Sequence, residues 1–163
     1  MLTVPVRYIP KSLSKRDRQR QQKMLRKSRK LYKQHSYYTR KKLPSYKHNT
    51  SKHILNARQI YKVDSILPSN VLAKATGCSV AALKRIVNKG AGAYFSSGSR
   101  PNQTAQSWGV ARLASAITGG KAAAVDYNII ADGCDHHKKA FRLATRAKQK
   151  YGHGSRRVPQ APL

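Results

Sequence analysis

The chain has 163 residues and carries 34 Lys or Arg against five Asp and no Glu, so its formal net charge is +29. A compact fold with this charge repels itself, and we expect a counter-charged partner such as nucleic acid, an acidic protein surface or anionic lipid. The five scattered Asp form no carboxylate pair, and no nucleophile has an orienting base, so the sequence argues against an enzyme.

The charge is concentrated at the two ends of the chain. Residues 1–62 carry 19 Lys or Arg and one Asp, residues 63–135 carry seven and four Asp, and residues 136–163 carry eight and no acid. This distribution predicts a mainly α protein, in which a small helical core at 63–135 is flanked by long, basic and partly extended arms. The arms are residues 1–62 and 136–163.

The N-terminal arm is predicted to contain one polar helix, at about residues 15–33. Ser14 and Asp17 have the spacing of a capping box at its start. Its few apolar residues form a narrow seam with heptad spacing: Met24, Leu25, Leu31 and Tyr32. A seam this narrow cannot hold the helix by burial within the chain, so we expect the helix to lie on a partner.

The rest of the arm, residues 34–53, loses this periodicity and gains tyrosines and histidines. We predict an irregular, Tyr-rich linker that is disordered in isolation.

Glycines and capping residues divide the remainder of the chain into helices. We predict helices at about 71–76, 80–88, 104–118, 121–131 and 136–151. Gly90 is predicted to end the second of these and to open a Gly/Ser loop that extends to Pro101. Asp135 is predicted to cap the last helix, and the tail from His153 is predicted to be irregular. Trp108, the single Trp of the chain, is predicted to be a core anchor.

Residues 71–88 resemble a helix-turn-helix. Ala73 permits close approach of the two helices, Gly77 accepts a left-handed turn, and Leu83 and Ile86 pack back onto the core. A plain helical corner in a small core explains the same spacing, and we favour that explanation.

The resemblance has consequences for the second helix of this motif. That helix would expose Ala81, Ala82, Lys84, Arg85 and Asn88. Lys84 and Arg85 would contact phosphate, and Asn88 would reach a base edge. The two alanines supply no group for base reading.

Cys78 and Cys134 lie 56 residues apart, and whether they pair is left open by the sequence. Because the N-terminus lacks the pattern of a signal peptide, we expect reduced thiols in a cytosolic or nuclear setting and a protein that is not secreted. Cys134, His136 and His137 are neighbours, but they lack the spacing of a four-ligand zinc site. We therefore predict no metal and no cofactor, and no segment long enough to span a membrane.

The candidate partner- or polyanion-binding residues lie in the arms, where cations are interleaved with tyrosines. They are Lys15, Arg16, Arg18, Arg20, Lys23, Arg26, Lys27, Arg29, Lys30, Tyr37, Tyr38, Arg40, Lys41, Lys42, Lys138, Lys139 and Arg142. Cations bind phosphate and aromatic rings stack on bases, but the same mixture also suits an acidic protein surface. Composition leaves both alternatives open.

Three segments resemble small basic proteins encoded by large nucleocytoplasmic double-stranded DNA viruses of algae and protists. They are Tyr8–Lys15, Lys89–Trp108 and Ala111–Tyr127, and the resemblance extends over most of residues 7–151. It implies no catalytic residues. It implies a context, which is a virion with an icosahedral capsid over an internal membrane and a packed genome.

In that context we expect a minor capsid protein on the inner face of the shell, made in the host cytoplasm. Its arms would tie together the major capsid protein and other minor proteins, with order acquired on binding. The alternative is a nucleic-acid-binding protein that packages or regulates viral DNA. A weaker third alternative is contact with the anionic surface of the internal membrane.

Overall fold

The computed structural model describes residues 2–47, 49–153 and 158–163, and within these the chain is mainly helical. The described residues form eight α-helices and two three-residue strands, and about 60% of the chain is helical. The helices are α1 (Lys15–Lys33), α2 (Lys52–Tyr61), α3 (Asn70–Thr76), α4 (Val80–Ser96), α5 (Ala105–Ile117), α6 (Lys121–Val125), α7 (Tyr127–Gly133) and α8 (Lys139–Tyr151). The mainly α class predicted from the sequence is confirmed.

The two strands join the ends of the chain. β1 (Thr3–Pro5) pairs antiparallel with β2 (Gln160–Pro162), with Val4 opposite Ala161. The tail was predicted to be irregular, and for residues 160–162 that prediction is wrong; residues 154–157 lie outside the described part of the chain. Three-residue strands have no period that a sequence pattern can reveal, so this pairing leaves little trace in the sequence.

The chain divides into two compact units, and the boundary between them falls inside α4 and α5. The first unit comprises residues 1–49, 91–108 and 157–163, and the second comprises 50–90 and 109–156. This division does not follow the three segments predicted from the charge distribution. Nor does the structure show an extended N-terminal arm, because Val4, Leu25 and Leu43 are buried.

The first unit is built around α1, which begins and ends where the sequence predicts. The Ser14 hydroxyl accepts a hydrogen bond from the amide of Asp17, as the capping spacing requires. Leu25 packs in a small apolar cluster with Val4, Tyr8, Ile9 and Leu163, against which Trp108 lies half-buried. The rings of Trp108 and Tyr8 lie 5.9 Å apart in a T-shaped arrangement. Because it is only partly buried, Trp108 packs beside this cluster rather than at its centre.

The second unit contains the larger core, to which α2 to α8 all contribute. Leu72, Leu83 and Ile86 are buried there, as the helical-corner spacing predicts, and Gly77 ends α3 in the left-handed conformation. Cys78 and Cys134 form a disulfide, which settles the pairing that the sequence left open and corrects the expectation of reduced thiols.

The helix α4 continues six residues beyond its predicted stop at Gly90. A side chain at Gly90 would place its Cβ 2.6 Å from the Cα of Gly109, so the two glycines mark a close approach of α4 and α5. Glycine serves there to let backbones approach and not to end a helix. The predicted Gly/Ser loop is therefore wrong as far as Ser96.

The helix predicted at 121–131 is instead two short helices, α6 and α7, which meet at Asp126. The following helix, α8, begins at Lys139 and not at residue 136, because Asp135 closes a turn before it. The Asp135 carboxylate accepts a hydrogen bond from the backbone amide of His137 at 2.8 Å. The backbone carbonyl of Asp135 accepts a hydrogen bond from the backbone amide of Lys138 at 3.1 Å. α8 ends before Gly152, as predicted.

Candidate nucleic-acid interface

The most highly charged surface of the first unit is one side of α1. Eight Lys or Arg side chains of α1 are exposed: Lys15, Arg16, Arg20, Lys23, Arg26, Lys27, Lys30 and Lys33. At 3.6 residues per turn these eight positions fall within an arc of about 140°. The buried residues of α1 lie on the opposite side. We call these eight residues the α1 basic face; Lys33 is the one member that the sequence analysis did not select.

The opposite side of α1 is held largely by polar contacts. Its buried residues are Asp17, Gln21, Leu25 and Ser28. The Gln21 amide donates to the carbonyl of Tyr8 at 3.0 Å, and the Ser28 hydroxyl donates to the carbonyl of Phe95 at 3.1 Å. These contacts correct the expectation that α1 requires a separate partner to lie on, because hydrogen bonds within the chain add to the narrow apolar seam.

Asp17 is the only acid before residue 64, and it is turned away from most of the basic face. Its carboxylate accepts hydrogen bonds from the hydroxyl and the amide of Ser45, at 2.6 and 2.9 Å. These two bonds hold the pKa of Asp17 below its usual value, with a smaller contribution from Arg20, which lies 3.8 Å away. Asp17 is therefore a buried anchor, and the α1 basic face keeps almost all of its positive charge.

Arg40 was selected as a polyanion-binding residue, and its position corrects that assignment. It is only 7% exposed, and its guanidinium donates to the Ser28 hydroxyl, the Tyr94 carbonyl and the Ser99 hydroxyl, each at 2.8 Å. The same group lies 3.8 Å from the centre of the Tyr94 ring. Burial lowers the pKa of Arg40, although an arginine stays charged through such a shift. Arg40 holds the first unit together and is not available to an external anion.

The other selected residues of the first unit are at least partly accessible. Arg18 and Arg29 are half-buried, and Arg29 donates to the carbonyl of Thr3 at 3.4 Å. Lys41 and Lys42 are exposed, and Tyr37 is 68% exposed. Tyr38 is half-buried, with the Lys27 ammonium 4.5 Å from its ring centre.

A shallow, open depression of about 290 Å³ lies near the start of α5, lined by Lys42, Asn102, Thr104 and Ser107. Asn102 adopts a left-handed backbone conformation, and its amide group bonds both the amide and the carbonyl of Leu43. The Thr104 hydroxyl accepts a hydrogen bond from the amide of Ser107 and so caps α5. Asn102 therefore connects its loop to the segment at Leu43, and Thr104 and Ser107 bond each other at the start of α5.

In the second unit, Lys138, Lys139 and Arg142 are exposed at the start of α8. The aliphatic part of Lys138 covers Gly77, because a Cβ on Gly77 would lie 2.5 Å from its Cγ.

Lys84, Arg85 and Asn88 are exposed on α4, as the helix-turn-helix resemblance requires. Ala82 was expected on the same surface but is only 4% exposed, because it packs against Gly133. The geometry is that of a helical corner whose turn carries the Cys78–Cys134 disulfide.

The second unit also contains a buried carboxylate, that of Asp126, which forms ion pairs with two cations. Arg112 donates to both of its oxygens at 2.7 and 2.8 Å, and the Lys89 ammonium donates at 2.8 Å. Burial alone would raise the pKa of Asp126, but the bonds and charges of Arg112 and Lys89 outweigh it and lower this pKa. This triad joins α4, α5 and the α6–α7 junction.

Within the described ranges, no group of His, Cys or Asp side chains is arranged to hold a metal ion. In the same part of the chain, every helix is too short or too polar to cross a bilayer.

These features define a mainly α, strongly basic protein in which one helix presents a continuous cationic surface. Its sequence matches DUF5824, a family of unknown function, over residues 5–137. Because the match covers most of the chain, the protein belongs to the DUF5824 family. No curated protein and no solved structure matches the chain significantly.

Proposed function

We propose that the protein binds nucleic acid through the phosphate backbone, and that the α1 basic face is its principal contact. The observation that carries the proposal is the segregation of eight exposed cations onto one side of α1, while the single acid of that helix is buried on the other. A nucleic acid neutralises such a surface by releasing its own counterions, which is the main source of sequence-independent affinity.

The dimensions of α1 suit this ligand. Its 19 residues extend over about 28 Å at 1.5 Å per residue. Duplex DNA carries one negative charge per ~1.7 Å of its axis, so phosphates are available along the whole helix. Lys and Arg on a solvent-facing helix can fix position on a phosphate backbone, and the whole face consists of these two residue types. We therefore expect binding with little sequence preference.

A protein surface is a weaker match for the α1 basic face. The centres of protein interfaces are depleted in charge and enriched in aromatic and apolar anchors, whereas this face consists of charged side chains. The expected capsid role also relied on extended arms, and residues 3–47 are instead folded around α1. In the viral context that the sequence resemblance implies, the natural ligand would be the packed genome.

A minor capsid role is the second candidate, and one observation favours it. In the second unit Val71 is 70% exposed, Leu55 52% and Leu67 49%, which suits contact with another protein. Fractionation of disrupted, DNase-treated virions separates the two roles. Loss of the protein with the digested DNA supports genome binding, and retention on empty shells supports the capsid role.

The direct test of nucleic-acid binding is a titration of the whole protein against a fluorescein-labelled 20-base-pair duplex at several salt concentrations. If five or more phosphates are neutralised, the plot of log K against log salt has a slope of about −4.5 or steeper. Equal affinity for duplexes of unrelated sequence is expected. A salt-insensitive affinity, or no binding at low salt, would refute the proposal.

A further inference from the structure

An aromatic ring stands in solvent just beyond the C-terminal end of α1. This ring belongs to Tyr37, which is 68% exposed, the highest value for a tyrosine in the described part of the chain. Its ring centre lies 5.1 Å from that of Phe95 and 6.2 Å from that of Tyr32, at interplanar angles of 58° and 61°. The ring is therefore held by two neighbours while most of its surface stays open.

The support beneath Tyr37 is rigid. Phe95 meets the edge of Tyr94 at 5.1 Å, and Tyr94 is completely buried. The Tyr94 hydroxyl accepts the backbone amide of Arg40 at 2.8 Å, and its carbonyl accepts the Arg40 guanidinium. A ring that is already fixed by such a network loses little conformational entropy when a ligand stacks on it.

The chain that leads to Tyr37 is cationic in sequence. Four of the last seven residues of α1 are basic, namely Lys27, Arg29, Lys30 and Lys33, and no acid occurs from residue 18 to residue 63. Tyr32 projects from the side of α1 that carries the buried residues, so Tyr37, which contacts Tyr32, lies off the basic face and beyond the end of the helix. A strand that follows this face reaches Tyr37 by passing the end of the helix.

We propose that Tyr37 is a stacking platform for an unpaired base of single-stranded nucleic acid, whose phosphates lie along the C-terminal half of the α1 basic face. The proposal rests on the nucleic-acid function above and adds to it the ligand class. Proteins that bind single strands without sequence preference combine exposed aromatic rings, on which bases stack, with a positively charged surface that binds the phosphates. The bases of an intact duplex are stacked on one another and cannot use the platform.

The test compares Tyr37→Leu with Tyr37→Phe in the full-length protein. Leucine keeps an apolar cover over Phe95 but has no ring, and phenylalanine keeps the ring. Labelled 20-nucleotide single strands of DNA and of RNA, and a DNA duplex of the same length, serve as probes at one salt concentration. Thermal melting of each variant verifies that it is folded, and Tyr37→Gln replaces Tyr37→Leu if that variant melts early.

We expect Tyr37→Leu to weaken single-strand binding by about fivefold or more, since one base–aromatic stack contributes about 1–3 kcal/mol, or about 5- to 150-fold. Tyr37→Phe and duplex affinity should change by less than about twofold. A loss confined to DNA or to RNA supports the platform and assigns the strand. Unchanged single-strand binding by Tyr37→Leu, or an equal loss for duplex, overturns the platform alone. Wild-type protein that binds none of the probes overturns the proposed function as well.

Discussion

The close approach of α4 and α5 gives a prediction with a control two residues away in the same helix. Gly90 and Gly92 are both helical, but a Cβ at Gly90 would lie 2.6 Å from the Cα of Gly109 and 3.2 Å from the Cβ of Arg112, while a Cβ at Gly92 has nothing within 4 Å. Replacing glycine by alanine inside a helix stabilises the helix by about 1 kcal/mol through helix propensity, and this gain applies at both sites. Only Gly90→Ala adds an overpacking cost.

The magnitude follows from the distances. Non-bonded carbons are comfortable at about 3.5–4.0 Å, so Gly90→Ala needs the helices to separate by about 1 Å, and overpacking of this kind costs about 1–3 kcal/mol. We expect Gly92→Ala to raise the free energy of unfolding by up to about 1 kcal/mol. Gly90→Ala should lie about 1–3 kcal/mol below it, because the helix-propensity gain is common to both variants.

Thermal unfolding followed by circular dichroism at the helix band measures the difference. For a chain of this size 1 kcal/mol corresponds to about 2–4 °C, so the midpoints should differ by about 2–12 °C. Equal midpoints, or a more stable Gly90→Ala variant, would refute the close approach of α4 and α5.

Three further predictions concern groups buried in the two units. Asp126→Asn should lower the free energy of unfolding by about 3 kcal/mol, because it leaves two cations without their partner. Since the pKa of Asp126 is lower folded than the 3.8 of the unfolded chain, its stabilisation is complete above pH 3.8 and is lost below. The urea-unfolding difference between wild type and variant should therefore shrink in acid, and a constant difference would contradict the ion pairs. Arg40→Lys should lower the urea midpoint by the equivalent of about 2–3 kcal/mol, because an ammonium cannot reproduce the planar donor fork; a neutral effect would count against the buried network. Reduction of the Cys78–Cys134 disulfide should cost about 2–4 kcal/mol, and an unchanged melting curve with dithiothreitol would argue against the pairing.

The sequence predicts those parts of the fold that depend on residues close together in the chain. The bounds of α1 follow from Ser14 and Asp17 at its start, and the corner at Gly77 follows from the spacing of small and apolar residues. The basic face itself is visible as cations at helical spacing. How the opposite side of α1 is held could not be predicted, because three of its four buried residues, Asp17, Gln21 and Ser28, are polar.

Non-local contacts account for what the sequence analysis missed. Gln21 and Ser28 look like solvent-facing residues, but they donate to the carbonyls of Tyr8 and Phe95. Arg40 looks like a member of a basic patch, but it donates to Tyr94 and Ser99. Gly90 resembles a helix stop until Gly109 explains it. Hydrogen bonds between residues far apart in the chain, such as Arg40 and Tyr94 at a separation of 54, leave no periodic pattern in the sequence.

The central claim is that binding depends on where the charge lies and not on how much there is. Two variants with four Lys or Arg each replaced by Gln separate these explanations, and both lower the net charge of +29 by four. The face variant changes Arg16, Lys23, Arg26 and Lys30, and the matched control changes four other exposed residues: Lys11, Lys52, Lys74 and Arg146.

The measurement is the duplex affinity of both variants as a function of salt. Each phosphate contact that is lost makes the slope of log K against log salt less steep by about 0.9. The face variant removes four cations, so its slope should be less steep than that of wild type by up to about 3.6. We expect the control to keep a slope close to that of wild type. Equal slopes and equal losses of affinity in the two variants would show that α1 is not the contact surface and would contradict the account.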